Sequence, residues 1–314
     1  MKRVRISTFG CPDDYSLGLV PIIAQSLGYK LEWTKPAHAD LLILGPFSRP
    51  DLKKLKWCPK PLRDPLQKAL SLVPLRTSLP IRVFHSAENI RYDTYPADYS
   101  ISFDLNVAAD NHYRFPYWME MIDWSHEGIR GNQNPRYGQL MTIERLMQPL
   151  GNRYRSKPKA AAFLSSHIRE PRRTLFEAVQ KVMPVKGFGA YFNKNIQNHH
   201  LSGFLKKDIL RDFGFNLCPE NGMYPGYYTE KIPEAFFADC LPITWTDENV
   251  KVDFNPEAFI NLAPMAWSNY SALQEIICSP HALEGYASQA LLRKAPSILP
   301  FRDFIKRILQ DASS

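Results

Sequence analysis

Residues 213–245 read FGFNLCPENGMYPGYYTEKIPEAFFADCLPITW, and they decide how the second half of the chain folds. Residues 213–218 are a short apolar run that predicts an interior strand, and the turn-rich residues 219–226 cannot extend it. Thr229 is then predicted to cap a helix, after which AFFADCLPITW returns the chain to a second strand. The stretch therefore predicts a strand, a loop, a helix and a strand in succession.

The start of the predicted helix carries Glu230 and Lys231. The backbone amides of a helix start, the helix dipole and a lysine ammonium together favour a bound phosphate. Glu220 and Asn221 follow the end of the predicted strand, which is where open α/β sheets place their ligand contacts. These residue types predict a site for a phosphorylated ligand, in outline a sugar nucleotide.

The same stretch closely resembles the signature of the α-1,3/1,4-fucosyltransferases, glycosyltransferase family ten. Four segments carry the resemblance, at residues 215–221, 227–232, 241–243 and 253–262. Two positions depart from the family pattern, because Gly222 stands where a serine is usual and Pro219 where an aromatic residue is usual.

The resemblance implies an α/β protein of the GT-B type, with two Rossmann-like domains facing across a cleft. It also implies inverting transfer of L-fucose from GDP-fucose, or a close GDP-sugar, to a hydroxyl of an acceptor oligosaccharide. The acceptor expected on this basis is a bacterial surface glycan or lipopolysaccharide, fucosylated in α-1,3 linkage.

The pattern along the chain independently predicts two α/β domains. A chain of 314 residues exceeds what one hydrophobic core usually organises. Apolar strand-like runs such as residues 39–47 alternate with helical runs, which favours a doubly wound parallel sheet. The polar, basic stretch GNRYRSKPK at 151–159 is the predicted boundary. We therefore predict domains at residues 1–151 and 152–297, which the resemblance makes the acceptor-binding and GDP-sugar-binding domains.

Residues 298–314 are predicted to form a C-terminal helix with apolar positions at helical spacing. The resemblance implies that this helix packs back on the N-terminal domain. Its basic residues leave a second interpretation open, in which it holds the protein against anionic lipid.

The formal net charge of +8 predicts an affinity for anions, and two basic clusters at residues 53–63 and 153–173 carry much of it. A non-catalytic protein that binds a polyanion or nucleic acid is therefore an alternative to the enzyme. No helix-turn-helix, zinc-finger or RNP-type motif supports that alternative, so we expect no nucleic-acid partner.

The apolar runs and the cysteines indicate the cellular compartment of the protein. No stretch approaches the roughly 20 apolar residues of a membrane span, and no signal-peptide apolar region precedes the first strand. The five cysteines are odd in number and widely spaced, so they predict neither a disulfide framework nor a zinc site. We expect a cytoplasmic protein, located at the inner membrane face if it binds lipid.

A diphosphate leaving group must be neutralised by a metal ion or by protein cations. The sequence contains no D-x-D triplet, so we expect no metal and no cofactor, and Lys231 and Arg172 are the predicted cations. FLSSHIREPRRTLFEAV at 163–179 resembles the family segment that presents a diphosphate-binding arginine. That alignment selects Arg172, with Arg173 as the alternative.

The resemblance assigns further residues to the donor. Glu230 is expected to bind ribose or sugar hydroxyls, and Glu220, Asn221 and Thr229 are predicted to line the same site. Tyr227 is predicted to pack on the base or sugar, although core packing of both Tyr227 and Tyr228 remains an alternative.

Inverting transfer also needs a base that takes the proton of the attacking hydroxyl. In HSAENI at 85–90, Glu88 follows a predicted strand and resembles the family glutamate that faces the acceptor. Glu88 is therefore the predicted base and His85 the alternative, while Asp93, Asp98 and Asp104 are expected to be turn and cap residues.

Overall fold

The computed structural model describes residues 2–48, 80–132, 137–192, 205–265 and 270–313. The basic cluster at residues 53–63 lies outside these ranges. The chain divides into two compact units by its internal contacts. Unit 1 comprises Met1–Pro116, Trp124–Asn132 and Ser297–Ser314, and unit 2 comprises Tyr117–Asp123 and Gln133–Pro296.

The described part of unit 1 is built on a six-stranded parallel sheet in the order β2-β1-β3-β4-β5-β6. Its strands are β1 (Lys2–Phe9), β2 (Tyr29–Trp33), β3 (Leu41–Leu44), β4 (Ile81–His85), β5 (Tyr99–Ser102) and β6 (His112–Arg114). Helix α1 (Leu19–Ser26) connects β1 to β2, and Gly28 follows it with a φ of +82°, which suits the left-handed turn after a helix. The strands are apolar on their inner positions, so the sheet forms the core.

The described part of unit 2 has a five-stranded parallel sheet in the order β11-β10-β9-β7-β8. Its strands are β7 (Ala161–Leu164), β8 (Val185–Phe188), β9 (Phe215–Leu217), β10 (Leu241–Thr244) and β11 (Ile260–Asn261). Its helices are α2 (Ile143–Leu146), α3 (Arg172–Gln180), α4 (Lys206–Leu210), α5 (Lys231–Phe237), α6 (Tyr270–Cys278) and α7 (Pro280–Ala287). The two parallel-sheet, Rossmann-like units confirm the predicted α/β class.

The strand order of unit 2 fixes where a ligand can bind. The chain runs from β7 to β8 on one side, and then β9 pairs with the opposite side of β7. The order therefore reverses between β7 and β9, and open α/β sheets bind ligands at such a switch point, outside the carboxyl ends of the strands. The loops that follow β7 and β9 meet there.

The division by contacts places residues 133–151 in unit 2, so the predicted boundary stretch at 151–159 lies inside that unit. The backbone of Leu146 accepts a hydrogen bond from Leu292 N at 3.0 Å, and Gly151 N donates to Ala287 O at 2.8 Å. Lys157 of the basic stretch donates to Leu210 O at 3.3 Å, at the end of α4. Its charge therefore lies against the carboxyl end of a helix.

The last helix, α8 (Leu299–Ala312), belongs to unit 1. The ring of Phe301 stacks on Phe115 with centroids 3.9 Å apart, and Phe304 lies edge-on to Tyr99. The apolar face of α8 is buried throughout, comprising Phe301, Phe304, Ile305, Ile308 and Leu309. This face is covered by unit 1, so it is not available to a lipid surface.

Two compositional features can be checked within the described ranges. No helix there combines the length and apolar character needed to cross a bilayer. The thiols of Cys11, Cys218, Cys240 and Cys278 are unpaired, and Cys58 lies outside the described residues.

We predict that Phe301→Ala lowers the free energy of unfolding by about 3–5 kcal/mol, because it removes a fully buried ring and leaves a cavity. Leu299→Ala, in the first turn of the same helix, is the matched control because that side chain is 43% exposed. Denaturant titration of both variants measures the difference. Equal unfolding midpoints for the two would contradict the packing of α8.

Candidate functional site

The segment 213–245 forms the predicted succession of strand, loop, helix and strand. Strand β9 is shorter than the apolar run, and α5 begins at Lys231 after a loop that spans residues 218–230. This loop leaves the sheet beside the end of β7, because β9 and β7 are paired neighbours. The segment therefore delivers its polar residues to the switch point of unit 2.

The structure corrects one detail of this segment. The N-cap residue of α5 is Glu230, which has helical backbone angles, and no side chain caps the helix. The hydroxyl of Thr229 instead hydrogen-bonds the carboxylate of Glu220, at 2.8 and 2.9 Å from its two oxygens. The prediction that Thr229 caps the helix is wrong, because a buried carboxylate engages its hydroxyl.

Glu220 joins the end of β9 to the start of α5. Its side chain is almost completely buried, and its Oε1 accepts a hydrogen bond from Thr229 N at 2.7 Å. Its Oε2 accepts one from Lys231 Nζ, also at 2.7 Å. Lys231 Nζ donates in addition to Thr229 Oγ1 at 2.6 Å. Glu220 thus fixes the ammonium of Lys231 in place, and a ligand at the switch point would meet Lys231 more readily than Glu220.

Lys231 keeps its charge despite its burial. Burial by itself lowers the pKa of an ammonium, but the nearby carboxylates of Glu220 and Glu230 outweigh it and hold the pKa of Lys231 above its ordinary value. The ammonium is therefore protonated throughout the physiological range of pH, as binding an anion requires.

Arg172 is the first residue of α3 and is only 6% exposed. Its guanidinium donates to Ser165 Oγ at 3.0 Å and to Asn221 Oδ1, and lies 3.1 Å from His167 Nε2. Burial, followed by the charges of Arg172 and Arg169, lowers the pKa of His167, so this imidazole is neutral. These three partners carry no charge, and they orient the guanidinium.

The two predicted cations lie close enough to affect each other. The charge of Arg172 is one of the influences that lower the pKa of Lys231, although the carboxylates outweigh it. Arg172 follows β7 and Lys231 follows β9, so both belong to the carboxyl edge of adjacent strands. Both side chains can donate charge-assisted hydrogen bonds to an anion at this edge, although the carboxylate of Glu220 offsets the charge of Lys231.

Glu230 is engaged by a residue that sequence reasoning missed. Lys206, at the start of α4, donates to Glu230 Oε1 at 3.1 Å and to Glu234 Oε2 at 2.6 Å. The side chains of Glu230 and Glu234 are only 9% and 3% exposed. Burial raises the pKa of Glu234 to about 7, against the opposing charge of Lys206. No local pattern pointed to Lys206, since its partners are more than twenty residues away in sequence.

In the structure, the two loop tyrosines that were considered for donor binding are core residues. Tyr227 and Tyr228 are both buried, and Tyr228 Oη donates to Asp247 Oδ1 at 2.9 Å. The Asp247 carboxylate also accepts a hydrogen bond from Asn249 N at 2.8 Å. Tyr227 thus has little surface for a ligand, and its predicted contact with the donor stays a prediction.

Glu88 lies in unit 1, in the loop that follows β4. Its backbone is held by Ser86, whose hydroxyl donates to Glu88 O at 3.0 Å and accepts from Glu88 N at 3.1 Å. The residue is half-buried, and within the described ranges its carboxylate makes no hydrogen bond or ion pair. The alternative base, His85, is 2.9 Å from Tyr15 Oη.

The other acidic residues near Glu88 have structural partners. Asp104 accepts from Arg91 at 3.1 Å and from Tyr92 N at 2.9 Å, and Asp98 accepts from Arg82 N at 2.7 Å. In the part of the chain that the structure describes, no three His, Cys, Asp or Glu side chains are grouped as a metal site.

Two family models match the chain. The model of the glycosyltransferase family 10 (fucosyltransferase) C-terminal part matches residues 154–277, which include all the donor residues predicted above. The model of the alpha-(1,3)-fucosyltransferase FucT N-terminal domain matches residues 74–121, which include Glu88.

A curated relative is the alpha-(1,3)-fucosyltransferase FucT of Helicobacter pylori. It is 28% identical over an alignment of 200 residues that covers 58% of this chain and 40% of that protein. The chain thus spans less than half the length of this relative.

Solved structures of similar fold include an alpha1,3-fucosyltransferase, with a TM-score of 0.66 and 20% identity over 98% of this chain and 90% of that one. A complex of an alpha1,3-fucosyltransferase with GDP-fucose gives a TM-score of 0.67 and 19% identity over 99% and 91% of the chains. These likenesses confirm the GT-B fold class.

The raised pKa of Glu234 predicts a dependence of stability on pH. The folded protein holds this proton more tightly than the unfolded chain does, so the stabilisation is complete below the ordinary pKa of 4.5 and is lost as pH rises through about 7. Glu234→Gln cannot lose a proton. Its free energy of unfolding relative to wild type should therefore rise between about pH 5 and pH 8.

Denaturant titration at several pH values measures this difference, and exposed Glu177→Gln on α3 is the matched control. Charges facing Glu234 come from Lys206 on α4 and from Glu230 and Lys231 at the start of its own helix, and the hydroxyl of Tyr137 is a further titratable neighbour. A stability difference that is the same at every pH would contradict the shift.

Proposed function

We propose that the chain is a member of glycosyltransferase family 10, and that it is an inverting transferase that moves L-fucose from GDP-fucose to a hydroxyl of an acceptor oligosaccharide. The observation that carries this proposal is the pair of fixed cations, Arg172 and Lys231, at adjacent strand ends of unit 2. This site and the two family-model matches both favour the enzyme over a general polyanion-binding protein.

The reaction needs positive charge beside the leaving diphosphate, and the two cations supply it. When the bond to fucose breaks, negative charge develops on the diphosphate of GDP, and fixed positive groups stabilise that charge more than they stabilise the intact donor. Arg172 can contribute a delocalised positive charge beside the diphosphate, and Lys231 adds a point charge. Helix α5 has only seven residues, so the side chains and not its dipole are the main source of positive potential. No metal ion is required in this proposal.

Glu220 and Asn221 hold the two cations in position, and the cations, not these two residues, make the first contact with the donor. Glu220 holds Lys231 and Thr229, and Asn221 accepts from Arg172. Their proposed role is to keep the cations in place before the donor arrives, so that little reorganisation is needed when charge develops. Glu230 is proposed to accept hydrogen bonds from ribose or sugar hydroxyls of the donor.

Glu88 is the proposed base. In the transfer, the acceptor hydroxyl oxygen attacks the anomeric carbon of fucose from the face opposite the diphosphate, which leaves with the bonding electron pair. The carboxylate of Glu88 takes the hydroxyl proton. Its half-buried position and the lack of a described partner leave it able to do so.

The acceptor is proposed to be a bacterial surface glycan such as lipopolysaccharide, fucosylated in α-1,3 linkage by a cytoplasmic enzyme. The relation to an alpha-(1,3)-fucosyltransferase from a bacterium supports this choice. Any contact with anionic membrane would involve a surface other than the apolar face of α8, because unit 1 covers that face.

We predict that Lys231→Ala and Arg172→Ala each weaken binding of GDP by about 1.5–3 kcal/mol, the usual loss for a charge-assisted hydrogen bond. Exposed Lys251→Ala is the matched control, because it removes the same charge from the same unit, and Arg173→Ala tests the alternative arginine on the same helix. Titration calorimetry with GDP measures the affinities. Folded Lys231 and Arg172 variants with wild-type affinity would refute the site, and a loss confined to the Arg173 variant would move the arginine role there.

We predict that Glu88→Gln lowers the transfer of fucose by about 10² to 10⁴, the range that a general base contributes, while affinity for GDP stays near that of wild type. The assay supplies GDP-fucose and a panel of acceptor glycans and identifies products by mass spectrometry. Asp93→Asn, at an exposed position of the same region, is the control. No product from the wild type with any acceptor, and no donor hydrolysis, would contradict the proposed function. Near-normal transfer by Glu88→Gln would direct attention to His85 or Glu220.

A further inference from the structure

Glu230 and Glu234 are placed where like charges repel. They are four residues apart at the start of α5, so they share one face of the helix, and both are buried. Two carboxylates at this spacing destabilise a helix even at a surface. Burial increases the cost, because little solvent is present to screen the repulsion.

Lys206 compensates for this arrangement from a different element. It lies at the start of α4, and its ammonium is within hydrogen-bond distance of Glu230 Oε1 and Glu234 Oε2 at once. The ammonium thereby links the N-cap residue of α5 to the next turn of that helix. One contact is 3.1 Å and the other 2.6 Å, so Glu234 is the closer partner.

The network carries a desolvation cost that an apolar core would not. Glu234 Oε1 is buried and has no hydrogen-bond partner in the described residues, which carries a desolvation penalty. Replacing a buried ion network by well-packed apolar side chains is often neutral or stabilising. The side chain of Glu230, moreover, caps no helix, although Glu230 is the N-cap residue. What the contact with Lys206 does is fix the direction of the Glu230 carboxylate.

We propose that Lys206 is a positioning residue of the donor site, which holds Glu230 in the orientation that accepts donor hydroxyls and is itself anchored by Glu234. This inference rests on the proposed function. Lys206 engages one oxygen of Glu230, and a carboxylate has acceptor sites on two oxygens, so both interactions can exist together. Removing the ammonium takes away one contact that orders the Glu230 carboxylate, so more of its side-chain freedom is lost on binding the donor and affinity falls.

The test is a double-mutant cycle between Lys206 and Glu230, with affinity for GDP-fucose as the readout. Lys206→Met and Glu230→Gln should each weaken binding about tenfold, and the double variant should be little worse than either single variant, because Lys206 acts through Glu230. Lys206→Arg should restore most of the affinity. Lys207→Met, the same charge change at the next position, is the matched control and should bind as wild type does.

If Lys206→Met does not fold, Lys206→Met with Glu234→Gln takes its place, because that pair no longer buries an unpaired charge at Glu234. The possible outcomes distinguish the positioning role of Lys206 from the proposed function. Wild-type affinity in the Lys206 variant, or additive losses in the cycle, would overturn the positioning role and leave the proposed function intact. Failure of the wild type itself to bind GDP-fucose would overturn the proposed function, and this inference with it.

Discussion

The site in unit 2 depends on one buried carboxylate, that of Glu220. It stands at the end of β9 and accepts hydrogen bonds from the backbone and hydroxyl of Thr229 and from the ammonium of Lys231. Without this carboxylate the lysine would be a buried charge that has lost the largest of the interactions offsetting its desolvation. The same contact that stabilises the start of α5 thus keeps a cation charged and in place at the switch point of the sheet.

The charged side chains around Glu220 form ion pairs of alternating sign. Glu220 pairs with Lys231, and Lys206 pairs with both Glu230 and Glu234. The guanidinium of Arg172 is positioned separately, by its contacts with Ser165, His167 and Asn221. The result is a set of groups whose positions are fixed before a ligand binds. Preorganisation of this kind is what an enzyme needs if it stabilises a leaving diphosphate with side chains.

The sequence predicted the parts of this site that are local. The apolar run of β9, the loop and the charged helix start lie within one segment, and their order alone indicates a ligand site at a strand end. It missed what depends on distant residues. Thr229 looked like a helix cap because the buried partner of its hydroxyl, Glu220, is nine residues away, and Lys206 had no visible role because Glu230 and Glu234 are 24 and 28 residues away. The polar stretch 151–159 was predicted as a domain boundary from its composition, and its partners on α4 and α7 lie far along the chain.

We propose that fixed cations of unit 2 bind the diphosphate of a guanine nucleotide without help from a metal ion. Calorimetric titration of the wild-type protein with GDP and with GMP, both in EDTA, measures this contribution, because the two ligands differ only in the second phosphate. GDP is expected to bind at least about tenfold more tightly than GMP, the value of one charge-assisted contact or more. Equal affinities for the two nucleotides, or binding of GDP that appears only when a divalent metal is added, would contradict it.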